Sequence, residues 1–534
     1  MQSMDRRSEI VPLWVGFWAA LVIVPLFTRT YLPIDETRYV SVAWEMWLRG
    51  DFFVPHLNGR IYSDKPPLLF WLYGLGWALT GVNDIWPRLV SPVFGAASLL
   101  LTARIARRLW PGNTQIQRLA PLVTGSSVLW MIFISAAMFD MLVVFFTLLG
   151  VLGIIFSWQD SGWRGWLVLG CALGFGILAK GPVILIHTIP LALLAPWWTV
   201  DHRPVRWASW YAGILGAVFI GAFIALSWAV PAALAGGEEY SRAIFWGQSA
   251  GRVAKSFAHQ RPIWWYVPLL PLILFPWLLW PASWRSLRPR VHEAGTSAVR
   301  LCIAWIVPVF IIFSLISGKQ PHYLLPLFPA FGLISSYALD RYFSFRKYDM
   351  VLPGIFILFS GCFLFLYSSL PLNPGLARLL SGVSPYCSLA LIAAGLMLPA
   401  TYYFIGEKRH AVLVSSMGVI LVVLLHTSLV GTLANYDMRD FSAYVGKLQR
   451  SGIPIAFVGK YHGTFGFLGR LEKPLDVISG EQVRQWAARH PGGCIIADEN
   501  DPRPGDNAVP EYEHPYGLHL LKVWKCRSFA CTGG

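Results

Sequence analysis

Apolar runs of about 20 residues recur from residue 11 to residue 431, and they leave this chain few folds. The runs fall near 11–28, 87–103, 119–136, 140–157, 166–179, 183–199, 207–230, 263–281, 299–317, 323–339, 351–369, 385–405 and 411–431. A stretch near that length matches the hydrocarbon thickness of a bilayer, where backbone polar groups must bond within their own segment. The expected fold is therefore a polytopic α-helical membrane protein with about thirteen spans. Of the 534 residues 55% are hydrophobic and 13% charged, roughly half the charged share of a soluble domain. The first run lacks a small-residue cleavage site and is followed by further spans, so it reads as an anchor, not a removed signal.

Charge sets the expected topology. Arg6 and Arg7 precede the first run, and cationic flanks stay cytoplasmic. The short run 66–80 begins with Pro66-Pro67 and is too short to cross easily, so it reads as an interfacial helix. With that assignment every alternate loop is basic on the same side. These loops carry Arg104, Arg107, Arg108 and Arg118; Arg164; Arg203 and Arg206; Arg285, Arg288, Arg290 and Arg300; Arg341, Arg346 and Lys347; Lys408 and Arg409. The net charge of +15 is thus a topology signal and does not point to nucleic acid. The pairs Trp264-Trp265 (with Tyr266) and Trp197-Trp198 read as interfacial anchors.

An odd number of spans puts the segment after about residue 434 on the far side. It carries the breakers Asp501-Pro502 and Pro504-Gly505. Runs at 453–458 and 494–497 read as short buried strands, and 480–490 as a helix between them. The expected organisation is a membrane domain over 1–433 and a small α/β domain over 434–534. Of seven cysteines, Cys171, Cys302, Cys362 and Cys387 read as small core residues, while two of Cys494, Cys526 and Cys531 are candidates to pair in an oxidising compartment. No internal repeat or low-complexity tract is present.

This topology gathers the unusual polar residues on the far side. They are Asp35, Glu36, Arg38 and Tyr39; Tyr62, Asp64 and Lys65; Asp140; Lys180; Arg252, His259 and Arg261; Lys319, His322 and Tyr323. Asp35, Glu36 and Asp140 are the candidate reacting carboxylates. Lys180, Lys319, Arg252 and Arg261 are candidates to hold a phosphate through charge-assisted hydrogen bonds. The plainer reading is that each cation pairs with a nearby acid or snorkels to the interface. Asp64 and His259 amount to half of a divalent-metal site, short of a full ligand set.

The order of these motifs resembles a known family. Asp35-Glu-Thr-Arg-Tyr39, Trp47-Leu-Arg-Gly-Asp-Phe-Phe-Val-Pro-His-Leu-Asn-Gly59 and Tyr62-Ser-Asp-Lys-Pro-Pro67 resemble the first outer loop of bacterial aminoarabinose transferases. These are lipid A modifying glycosyltransferases of the GT-C class, related to protein O-mannosyltransferases. Lys180-Gly-Pro182, His259 with Pro262-Ile-Trp-Trp-Tyr-Val-Pro268, and Ser317-Gly-Lys-Gln-Pro-His-Tyr-Leu-Leu-Pro326 follow in the family's order. The resemblance implies thirteen spans with interfacial juxtamembrane helices, a periplasmic C-terminal domain, and a bacterial inner-membrane location. It implies a sugar moved with inversion from undecaprenyl phosphate to lipid A or a related envelope lipid, with no nucleotide cofactor.

Carried over by position, Asp35 resembles the family's key acid, and Lys65, Arg252 and Tyr323 resemble ligands of the carrier phosphate. Arg38, Tyr39, Tyr62, Lys180, Arg261 and Lys319 join them as substrate-binding candidates. Asp64 and His259 fall where the family binds a divalent metal, zinc or magnesium. Two departures stand out: Asp64 replaces the family's usual Glu, and Gln260 separates His259 from Arg261.

Other readings keep the chemistry but change the substrates, with mannose or galacturonate as the sugar and glycan or protein as the acceptor. A lipid flippase or transporter is a different class. It would place ionisable groups near the midplane within repeated halves, a pattern this chain lacks.

Overall fold

The computed structural model describes residue 19, residues 21–160, 162–200, 206–247, 260–287, 296–342, 346–370, 380, 382–403, 416–418, 421, 423, 430, 433–499, 509–517 and 519–527. Half of the run 11–28 and most of the run 411–431, together with Cys531, therefore lie outside the described residues.

The architecture is a helical membrane bundle with a mixed sheet packed at one end. After a helical stretch over 21–28, helix α1 spans Asp35–Arg49. Asp35 and Glu36 occupy its first turn, where the helix dipole favours negative charge, and Gly50 ends it in the left-handed region at φ 64°. A two-residue hairpin follows, β1 (His56–Leu57) with β2 (Arg60–Ile61). Asn58 and Gly59 turn it at φ 54° and 76°, as an Asn-Gly hairpin requires. Glu45 of α1 accepts the Asn58 and Gly59 amides, so the hairpin is tied to that helix.

Next come α2 (Leu68–Thr80), α3 (Ile85–Leu109), α4 (Thr114–Gly125), α5 (Val128–Ile134), α6 (Asp140–Gln159) and α7 (Trp163–Lys180). Helix α2 occupies the run read as interfacial. Five helices among the described residues are long and apolar enough to cross a bilayer: α3, α6, Trp207–Phe245, Ser297–Leu315 and Pro321–Tyr342. The pair α4 and α5, bent by 71°, makes a sixth if taken as one span. At that bend Val128 donates to Phe275 O at 3.0 Å and Trp277 Nε1 to Ser126 Oγ at 3.0 Å, satisfying groups the break leaves open. The runs near 183–199, 263–281, 351–369 and 385–405 each carry a shorter apolar helix. Helices α6 and α7 meet backbone to backbone: a Cβ on Gly153 would lie 2.7 Å from Gly165 O. Without a hydrophobic force between helices in lipid, such close approach supplies the packing attraction.

Helix α6 is 20 residues long, so its two ends stand about 30 Å apart. At its C-terminal end Arg108 faces Asp160 at 3.4 Å. Neighbouring basic loops bond to other acids and to each other: Asn113 to Asp340 at 2.7 Å, Arg285 to Asp349 at 2.7 Å, and Arg300 to Trp197 O at 3.2 Å. The Asp140 end carries a different set of charges. Trp198 corrects the anchor reading, because it is fully buried with its indole N–H on Leu191 O at 2.9 Å. Tyr266 is likewise buried, whereas Trp264 is exposed.

Residues 439–526 contain helix Arg439–Arg450 and strands β3 (Ile455–Val458), β4 (Asp476–Ile478), β5 (Cys494–Asp498), β6 (Tyr512–Tyr516) and β7 (His519–Lys525). The sheet order is β4-β3-β5-β7-β6, with β3 parallel to both neighbours and β7 antiparallel to β5 and β6. Strand alternation loads both faces. Cys494 and Ile496 join Phe441 and Val445 on one face, while Ile495, Ala497 and Cys526 join Val483 and Trp486 on the other. Cys494 and Cys526 are both free thiols, held apart by the sheet between them.

The segment 461–475 leaves the sheet and packs into the membrane part. Phe467 is buried in the main core and stacks on Trp77 at 5.1 Å. Trp44 Nε1 donates to Leu471 O at 2.8 Å, Asn58 exchanges two bonds with Leu475, and Arg470 pairs with Asp84 at 2.6 Å.

Candidate functional site

The site is built outward from the first turn of α1. Asp35 keeps half of its side chain accessible, at 51%. Its Oδ1 accepts from Arg38 Nη2 at 3.0 Å and from the Tyr39 hydroxyl at 3.3 Å, the partners that helical i+3 and i+4 spacing brings to its face. Both bonds fall on one oxygen. The Tyr39 ring is buried edge-on against Phe139 at 4.8 Å. Burial, and then the Asp35 charge, push the Tyr39 phenol well above its usual 10, so it remains a donor.

Glu36 has a different role from the one expected of it. Its carboxylate is buried, takes Arg29 through bonds of 2.7 and 2.9 Å, and accepts the Leu32 and Ala137 amides at 2.8 and 2.9 Å. Four bonds saturate both oxygens, so Glu36 clamps the start of α1 and meets no substrate. Arg29 completes the clamp on Thr30 O and Ser135 O.

Asp140 opens α6 and is also buried. Lys180, the last residue of α7, holds its Oδ1 at 2.6 Å, and His322 Nε2 stands 4.0 Å from the same oxygen. Its Oδ2 is buried with no hydrogen-bond partner among the described residues. Lys65 lies within electrostatic range of Asp140, and Asp140 and Tyr62 lie within range of Tyr39. Lys180 sits 5.4 Å from the Tyr323 ring centroid. Asp35, Arg38, Tyr39, Tyr62, Lys65, Asp140, Lys180 and Tyr323 therefore form one connected neighbourhood, although five separate stretches of sequence supply them. Asp64 reaches it through His462, whose surroundings include Arg38, Asp35 and Asp64.

Lys319 corrects another expectation. Its ammonium is buried and donates to Arg261 O at 3.0 Å and to Ile316 O, so it is spent on the main chain and not on a phosphate. Burial also lowers its pKa below the ordinary lysine value. Arg261 is exposed, with its guanidinium 5.8 Å from the Trp265 ring and its amide on Ser317 O. Arg252 and His259 lie outside the described residues.

No three His, Cys, Asp or Glu side chains converge as metal ligands among the described residues. Of the two residues read as metal ligands, Asp64 is described and His259 lies outside the described residues. A cavity of about 50 Å³ opens further along α1, lined by Ser41, Glu45, Arg49, Tyr461 and Glu472 among others. None of the sequence-predicted site residues lines it.

Sequence reasoning passed over Arg29 and His462, which the fold brings in, and gave His322 no role. Arg29 sits just past the helical stretch 21–28, where a lone cation reads as an interfacial flank. His322 stood in a quoted motif and joins Asp140. His462 comes from the turn after β3, and its only local signal is the flanking Gly459 and Gly463, both at positive φ.

Residues 64–228 match the family described as dolichyl-phosphate-mannose-protein mannosyltransferase. An undecaprenyl phosphate-alpha-4-amino-4-deoxy-L-arabinose arabinosyl transferase of Pseudomonas paraeruginosa is 32% identical over 353 residues, 63% of this chain and 60% of that protein. The namesake of Edwardsiella ictaluri is 33% identical over 327 residues, 60% of this chain and 57% of that protein. The matched part of the chain thus spans about 60% of the length of such curated relatives. The crystal structure of ArnT from Cupriavidus metallidurans bound to undecaprenyl phosphate superposes with a TM-score of 0.75 at 20% identity, over 96% of this chain and 97% of that one. Its apo state gives 0.77 at 18% identity, over 98% of each. The chain therefore shares the polytopic helical fold of the ArnT structures along nearly its whole length, and it aligns with the curated arabinosyl transferases at 32–33% identity over 60–63% of its residues.

Proposed function

We propose that this protein is an inverting glycosyltransferase that moves 4-amino-4-deoxy-L-arabinose from undecaprenyl phosphate to lipid A or a related envelope lipid. In this reading it sits in the bacterial inner membrane through about thirteen spans. The Asp35 neighbourhood and the C-terminal α/β domain face the periplasm. The observation that carries the reading is a half-open carboxylate, Asp35, bonded to Tyr39, beside the buried Asp140 and the half-buried cations Lys65 and Lys180 at the ends of apolar helices. A lipid-linked phosphate has its charge at that depth.

The chemistry follows from the two sets of groups. An acceptor oxygen attacks the anomeric carbon, the bond from that carbon to the carrier phosphate oxygen breaks, and that oxygen leaves with the bonding electrons. Lys65, with Lys180 and Tyr323 beside it, stabilises the charge gathering on the leaving phosphate, an effect strengthened where water is scarce. An acceptor phosphate is already ionised and needs no deprotonation, so Asp35 acts on it through the Arg38 guanidinium it holds at 3.0 Å, because two anions share no hydrogen bond of their own. With a hydroxyl acceptor Asp35 takes the proton.

The test is transfer by the full chain reconstituted in lipid, with undecaprenyl-phosphate aminoarabinose and lipid A, read by mass spectrometry. One added aminoarabinose per lipid is expected, and an unchanged lipid A mass at complete donor occupancy would defeat the proposal. Lys65→Ala is expected to raise the donor KM by about 10-fold, the worth of one charge-assisted hydrogen bond. Donor saturation curves superimposing on wild type would remove Lys65 from the carrier site.

A further inference from the structure

The turn after β3 reaches the Asp35 helix, and its placement is over-determined. Gly463 sits at φ 76°, with its carbonyl accepting Ser41 Oγ at 2.7 Å. Ser41 Oγ in turn accepts the Phe467 amide at 3.0 Å. A Cβ on Gly463 would lie 2.7 Å from Leu57 Cδ1, 3.2 Å from Ser41 Cβ and 3.5 Å from Arg38 Cα. No side chain fits there, and the turn lies directly on α1 one residue after His462.

His462 is half-buried, and its electrostatic neighbours are Arg38, Lys460, Asp35 and Asp64. The other basic group, Lys65, Lys180 and His322, gathers on Asp140 instead. Asp35, a neighbour of His462, and Tyr39, a neighbour of Asp140, are bonded to each other and so link the two. One group lies at the ends of apolar helices, and the other is carried by a polar sheet region whose Lys460 is exposed. A transfer reaction needs two substrate sites flanking the reacting carboxylate. The cations among the apolar helices suit a phosphate on a lipid tail, which leaves the turn group for the second substrate.

Resting on the transferase reading above, we propose that His462 positions the acceptor by hydrogen-bonding its anionic phosphate, with Lys460 and Arg38 supplying positive charge. Burial, and then Arg38 and Lys460, lower the imidazole pKa from its ordinary value, and either tautomer of the ring offers an N–H. Strands β3 and β5 run parallel, and the crevice beyond the carboxyl ends of such strands is a recurrent ligand position.

Binding of bis-phosphorylated lipid A to the donor-free full chain in nanodiscs tests the assignment without turnover. His462→Ala is expected to weaken binding by about 10-fold, and His462→Gln, which keeps an N–H donor, by less. In turnover the acceptor KM rises by a similar factor while the donor KM stays at the wild-type value. Unchanged lipid A affinity, or donor and acceptor KM rising together, overturns the proposal. Should the alanine variant lose the wild-type unfolding midpoint, His462→Asn decides by the same comparison. Wild-type protein that binds lipid A through His462 yet transfers no sugar supports the site and counts against the transferase reading, which keeps the two separable.

Discussion

Asp35→Asn is expected to lower kcat by about 10³-fold while leaving the donor KM within about twofold. The amide keeps a neutral oxygen for Arg38 and Tyr39, so the first turn of α1 retains its shape. It loses the charge that orients the acceptor and offsets positive charge growing at the anomeric carbon. The donor phosphate is held by Lys65 and its neighbours, so carrier binding persists. Turnover of the purified, lipid-reconstituted variant gives the answer. A rate near wild type would take the reaction away from Asp35 altogether.

Arg29→Ala is the second large effect. The Arg29–Glu36 pair is almost wholly buried, with side-chain exposures of 4% and 5%. Removing one member of a buried pair strands the other charge, at a cost of about 3–5 kcal/mol. The stranded carboxylate is the group that fixes Leu32 and Ala137 around the start of α1, so the damage falls on the residue next to Asp35. A lower thermal midpoint in detergent and a lower kcat are expected together. Arg29→Met with Glu36→Gln, which removes both charges, is expected to recover most of the stability and less of the rate. A single variant as stable as wild type would mean that the clamp is not holding α1.

The membrane fold was legible because lipid makes severe demands. A chain that cannot hydrogen-bond to its solvent must write each span as a long apolar run, and the loops that stay inside must carry the cations. The strands at 455–458 and 494–498 were visible for a related reason, as short apolar runs between turn residues. What escaped was burial at the level of single polar groups. Glu36 and Asp35 are adjacent and chemically alike, yet α1 turns one outward and the other onto Arg29 and Ala137, a partner 101 residues away. Lys319 looked like a phosphate ligand because nothing local reveals that Arg261 O lies 3.0 Å from its ammonium. His462 escaped because its place beside Arg38 depends on how a distant segment docks.

That docking has a consequence for biosynthesis. The bonds from Ser41 and Trp44 to Gly463, Phe467 and Leu471 close loops of 422, 426 and 427 residues. At ribosomal speeds of about 5–20 residues per second, the nascent α1 waits roughly 20–80 s for the segment that covers it. A nascent chain that has made α1 already holds Asp35 but lacks His462, so the two come together only after the turn that follows β3 has been made.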